Sequence, residues 1–235
     1  EGLANACRVL ETPVISGNVS FYNENPKGAI DPTPMVGMVG LIEDAMRYVT
    51  QDFKTNGDAI VLLGYPAGKL DGSEYLHAIH GQKKGNPQID IEFEKRVQAT
   101  CLDAIEAGLI KSAHDCSDGG LAVCLAESCI SNSSAMRGAH VDVTPLASEG
   151  IRIDEILFGE APSRIIFSVA QNDFVRLEQV AAKHRVPLFR LGTVGTDRLV
   201  IQNDDASVID LAVDSLSDAW RSSIPTKTGL SANPA

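Results

Sequence analysis

Apolar positions along this chain recur with two periods, and each change of period marks an element. At the amino end Leu3, Ala6, Cys7 and Leu10 share one helical face, and Thr12-Pro13 ends it. Val14-Ile15 predicts a short buried strand, and residues 35–42, a run of Met, Val, Leu and Ile broken by Gly37 and Gly40, predict another. A third strand covers 59–63, introduced by Asn56-Gly-Asp and stopped by Gly64. A short helix is expected over 73–79. Phe93, Val97, Cys101, Ala104 and Ile105 then mark a long amphipathic helix from about 90 to 107, which Gly108 stops.

The stretch that follows organises the rest. Leu109 and Ile110 lead into polar His114-Asp115-Cys116-Ser117-Asp118, then Gly119 and Gly120, then an apolar helix to about residue 129. Two glycines before a helix let backbone amides open towards an anion, with the positive helix end behind them. Asp115 and Asp118 suit either a hard divalent cation or a cap on that helix. Cys116 reads as an exposed loop thiol with nothing to make it a nucleophile.

Downstream, 139–143 alternates as a strand, with His140 at the surface, and 153–158 is a short helix. Glu160, Ser163 and Arg164 suit a ligand or, equally, a turn with a surface ion pair. A strand at 165–169 follows, then a helix capped by residues 171–173 and ending near Arg185. Residues 191–201 form a glycine-punctuated turn and strand, and 208–213 a further strand. Ser215 is expected to cap a last helix holding Trp220, with a disordered tail from Pro225. Strands and helices mix without strict alternation, which predicts an α+β fold with a mixed sheet covered by helices.

Composition narrows the function. With 44% apolar and 22% charged residues the chain can build a globular core. A net charge of −11 argues against nucleic-acid or anionic-membrane partners. Five cysteines without a C-x-x-C pair fit reduced thiols better than zinc or a disulfide framework. The start at Glu1, inside a helical pattern, is read as that of a piece of a longer protein.

Just after the first short strand, Ser16-Gly-Asn-Val-Ser-Phe-Tyr-Asn-Glu24 gathers groups that suit nucleotide chemistry. Gly17 permits close approach, the Asn18 carboxamide oxygen is a hard ligand for Mg²⁺, and the Ser20 hydroxyl can bond phosphate or ribose. A Gly-Asn turn between strands satisfies the same spacing. The Pro- and Gly-rich stretch 25–34 is the best domain boundary. The expected division is 1–33, 34–224 and 225–235.

Five stretches carry a resemblance together: 16–24, 34–44, 114–121, 159–164 and 192–198, in one order along the chain. The series resembles the C-terminal part of the phosphoribosylformylglycinamidine synthase family, in its synthetase component, over roughly residues 1–224. The resemblance implies a PurM-like C-terminal domain preceded by the tail of a PurM-like N-terminal domain. It also implies a cytoplasmic ATP-dependent ligase of purine biosynthesis, acting on formylglycinamide ribonucleotide with ammonia derived from glutamine. Under it, Gly17 becomes a nucleotide contact, Asn18 a Mg²⁺ ligand and Ser20 a substrate contact. Catalytic residues would lie in the upstream half, and a separate glutaminase and a small accessory subunit would be partners. A non-catalytic docking domain, and another ATP-using member of the superfamily, are the alternatives.

Overall fold

A computed structural model describes residues 1–148 and 150–229. The chain divides into two compact units, Glu1–Arg47 and Tyr48–Ala235. In the first unit, helix α1 (Gly2–Val9) is followed by a small antiparallel ribbon, β1 (Glu24–Asn25) with β2 (Gly28–Ala29). Neither predicted strand of this unit forms. Val14, Ile15, Met35 and Val39 are largely exposed, and residues 35–42 have no regular structure. An apolar run becomes a buried strand only where a neighbour takes its backbone hydrogen bonds and a layer covers its side chains. Among the described residues, this unit supplies neither.

The second unit is built on β3 (Ala59–Gly64), every residue of which is buried. Ile60 and Leu62 enter one apolar core, while Ala59, Val61 and Leu63 enter the other. A strand covered on both faces reads as an unbroken apolar run, as this one does. The other strands are β4 (Ile110–Asp115), β5 (Ala139–Asp142), β6 (Arg164–Val169), β7 (Leu188–Val194), β8 (Arg198–Asn203) and β9 (Ala206–Ala212). They form one seven-stranded sheet in the order β4-β6-β3-β7-β5-β8-β9. Only β5–β8 is parallel among its pairs, so the sheet is mixed, as expected.

The helices are α2 (Glu74–His80), α3 (Ile91–Glu106), α4 (Gly120–Ile130), α5 (Ile153–Phe158), α6 (Phe174–His184) and α7 (Val213–Thr228). One sheet face is covered by α3 and α6, which bury Phe93, Val97, Ala104, Leu177 and Ala181. Asp90 caps α3, accepting a hydrogen bond from the Phe93 amide at 2.9 Å. The opposite face is covered by α4, α5 and α7, through Leu121, Leu125, Ile156 and Val213. Helix α7 starts before Ser215, at Val213, and continues through Pro225 to Thr228. Residues 230–235, the rest of the expected tail, lie outside the described residues. No helix among the described residues is long and apolar enough to cross a membrane.

Candidate functional site

The glycine loop begins later than its polarity suggests. Strand β4 runs on through His114 to Asp115, because Asp115 pairs with Ile165 and the Cys116 amide donates to the Arg164 carbonyl at 2.9 Å. The turn itself is Ser117 to Gly119, closed by the Gly120 amide donating to the Ser117 carbonyl. Gly119 has φ 78° and Gly120 φ 67°. A Cβ on Gly120 would stand 2.7 Å from the Gly159 carbonyl oxygen, so only glycine lets α4 start against that segment.

Neither Asp115 nor Asp118 caps α4. The Gly119 amide donates to the Glu160 carboxylate at 2.8 Å, and the same oxygen accepts from the Glu74 amide, the first of α2, at 2.8 Å. One side chain thus supplies the negative charge that two helix N-termini favour. The anion that the glycine pattern pointed to is carried by the chain itself. Main-chain hydrogen bonds in both directions between Lys69 and Glu160 hold that carboxylate in place.

Arg164 corrects a second expectation. It is 1% exposed, too deeply buried for a surface ion pair. Its guanidinium donates to the carbonyls of Tyr65, Gly159, Pro66 and Ile156. Ile156 and Gly159 lie in the last turn and at the end of α5, so a buried cation meets the negative end of that helix. Its neighbour Ser163 adopts φ 64° and donates to the Glu94 carboxylate at 2.6 Å. Both side chains are therefore committed to partners within the fold.

On the other side of β4, His114 stands between two carboxylates, with Nε2 2.8 Å from Glu127 and Nδ1 3.6 Å from Asp115. Burial alone would lower its pKa, but hydrogen bonds with Asp115 and Glu127 outweigh that and raise it. The same contact with His114, aided by the Ser117 hydroxyl, holds Asp115 far below the usual carboxylate range. These contacts favour the ionised form of Asp115. Thirteen residues separate His114 from Glu127, a spacing with no sequence signature.

Together these segments line a cleft of about 420 Å³. Asp71, Glu94, Asp115, Asp118 and Glu160 contribute carboxylates to its lining, and Cys116 and Arg164 also line it. Such walls repel a bare phosphate and suit a cation or a ligand rich in hydrogen-bond donors. Among the described residues no group of three or more His, Cys, Asp or Glu side chains is placed to hold a metal ion.

Gly17, Asn18 and Ser20 lie in the first unit, on an exposed segment without regular structure. A Cβ on Gly17 would meet nothing within 4 Å. The Ser20 carbonyl accepts from the Asn23 carboxamide at 2.9 Å. The three residues are sequence neighbours here.

Residues 55–202 match the family described as AIR synthase related protein, C-terminal domain. The chain belongs to that family. This AIR synthase related chain is 43% identical over 224 residues to the phosphoribosylformylglycinamidine synthase subunit PurL of Thermoanaerobacter sp. (strain X514). It is 45% identical over 228 residues to the PurL subunit of Anaeromyxobacter sp. (strain K). Each alignment covers 95% of the chain and 30% of the relative, so the chain spans about 30% of the length of the curated relatives it matches. Among solved structures, Thermotoga maritima PurL complexed with FGAR superposes with a TM-score of 0.63 at 22% identity, covering 74% of this chain and 30% of that one. The same protein complexed with ATP gives 0.60 at 21% identity, covering 74% and 28%. These likenesses establish the PurM-like fold expected from the five motifs.

Proposed function

We propose that this chain supplies the C-terminal part of a phosphoribosylformylglycinamidine synthase. That cytoplasmic ligase converts formylglycinamide ribonucleotide, ATP and glutamine-derived ammonia into formylglycinamidine ribonucleotide. The observation that carries the reading is identity of 43% and 45% to PurL subunits across 95% of the chain. Because the chain spans about 30% of those relatives, turnover is expected only with the upstream half restored. The partners are then that upstream half, a separate glutaminase and a small accessory subunit.

Within this reading Gly17 contacts the nucleotide through its amide, Asn18 ligates Mg²⁺ through its carboxamide oxygen, and the Ser20 hydroxyl binds the ribonucleotide substrate. The local chemistry fits. The segment is exposed, Gly17 has open space where a Cβ would be, and Asn18 presents an oxygen donor of the kind Mg²⁺ takes. Mg²⁺, when bound, would neutralise charge on transferring phosphate oxygens. The chain's own contribution is to hold the ligands in position.

The test is calorimetry with Mg-ADP on a longer form of the protein that includes the upstream half, comparing wild type with Asn18→Ala. Weaker binding in the variant supports the assignment. Absence of binding in both forms favours a docking domain, a reading that agrees with Glu160 already occupying the α4 amide.

A further inference from the structure

The turn that feeds β3 carries a chemically labile pair. Asn56 is the one asparagine of the chain followed by glycine, and Asn132 the one followed by serine. A main-chain nitrogen attacks the carboxamide before it most readily where the residue that owns it is small and free to rotate.

The structure separates the two asparagines. Asn132 is tied at both ends of its carboxamide: Nδ2 donates to Asp52 at 3.4 Å, and Oδ1 accepts from the Ser134 amide at 3.2 Å. Asn56 is exposed, and among the described residues its carboxamide has no hydrogen-bond partner. It sits in the turn 55–58, which the Asp58 amide closes by donating to the Thr55 carbonyl at 3.3 Å. Gly57, the third residue of that turn, has φ 84°, and a Cβ on it would meet nothing within 4 Å. The fold leaves room at this peptide.

One contact opposes the reaction. The Gly57 amide donates to the Val194 carbonyl at 2.9 Å, and the Gly57 carbonyl accepts from the Gln171 carboxamide at 2.7 Å. The nucleophile is that same nitrogen after it loses its proton, so the hydrogen bond to Val194 must open first.

We propose that Asn56 is a site of spontaneous deamidation, gated by opening of the Gly57–Val194 hydrogen bond. The Gly57 nitrogen attacks Asn56 Cγ, so that an N–C bond forms and the C–NH₂ bond breaks. Ammonia leaves with the proton that Gly57 gives up through solvent. Water then opens the succinimide at one of its two carbonyls. Opening at Cγ gives aspartate, and opening at the main-chain carbonyl gives isoaspartate. Water is consumed, ammonia is released, and nothing is oxidised or reduced. Either product adds a negative charge two residues before Asp58, whose buried carboxylate is paired with Lys111 at 2.7 Å. Isoaspartate also inserts a methylene into the main chain of the turn that leads into β3, the strand shared by both cores. This inference uses none of Gly17, Asn18 or Ser20 and stands whether or not the ligase reading does.

The experiment incubates the folded chain at mildly alkaline pH and digests samples with trypsin in heavy-oxygen water, which marks any conversion made during digestion. Residues 55–69 and 112–137 are released, with Asn56 and Asn132 as their only asparagines. Mass spectrometry follows replacement of amide by acid in each. The expected result is that the Asn56 peptide converts to a mixture of aspartate and isoaspartate ahead of the Asn132 peptide. In guanidinium chloride, where the turn is open, Asn56 should convert roughly tenfold faster or more, the factor that an opening free energy of about 1.4 kcal/mol gives. The site is overturned if Asn132 converts first or if neither peptide converts in the folded chain. Equal Asn56 rates in the folded and unfolded chain overturn the gate.

Discussion

The Glu160 carboxylate lies 2.8 Å from the Gly119 amide, filling with the chain's own charge the position that a glycine turn offers to an anion. The same oxygen holds the first amide of α2, so one side chain fixes two helix starts at the rim of the cleft.

Replacing Glu160 by Ala should therefore destabilise the second unit by about 1.5–3 kcal/mol, the range for hydrogen bonds to a charged group. Gln keeps an acceptor of the same shape without the charge and should cost less. Urea unfolding of the two variants measures both, and equal losses would show that the charge contributes nothing.

Arg164→Met should be among the most damaging single changes. It leaves the carbonyls of Tyr65, Pro66, Ile156 and Gly159 without this donor, the last two fully buried. A loss on the scale of about 1–3 kcal/mol is expected for each buried carbonyl left without a donor. Lys keeps the charge but cannot span four acceptors, so Arg164→Lys should recover only a small part of it in thermal unfolding.

His114 makes stability depend on pH. Its folded pKa is raised above 6.5, so its contribution is complete below about pH 6.5 and is lost as pH rises through the folded value. Asp115 works in the opposite direction. Depressed below 3.8, it contributes above that value and loses its contribution as pH falls further. Urea midpoints of wild type should fall on the alkaline side of pH 6.5. Those of His114→Gln should change less across the same window, and parallel curves would count against the assignment.

The first unit exposes Ile15, Met35 and Val39 almost completely. Apolar surface of this extent promotes association. Light scattering of the chain should report a mass above that of the monomer, increasing with concentration. The double substitution Met35→Lys and Val39→Lys should reduce it.

What the sequence shows and what it hides divide along physical lines. Strand β3 was legible because both its faces are buried, and α3 because Phe93, Val97 and Ala104 repeat at the helical period. The runs at 14–15 and 35–42 carry the same apolar signal but have no sheet to join among the described residues of their unit. Pattern records the need for burial, not whether a partner is present. Glu160 was visible as a carboxylate near a turn, yet its role depends on amides 41 and 86 residues away in sequence. Arg164 looked like a surface charge because arginine usually is one. Its four carbonyl partners come from segments that meet only after the sheet has formed. Cys116 looked exposed because its neighbours in sequence are polar, whereas the fold buries it in the core that holds Leu121 and Leu125.

Strand β3 is the common wall of the second unit's two cores, giving Ile60 and Leu62 to one and Ala59, Val61 and Leu63 to the other. Neither layer of helices can peel away without stripping cover from the strand that also anchors its opposite number. The two hydrophobic compartments are therefore expected to melt together, in a single cooperative transition that carries the cleft with it.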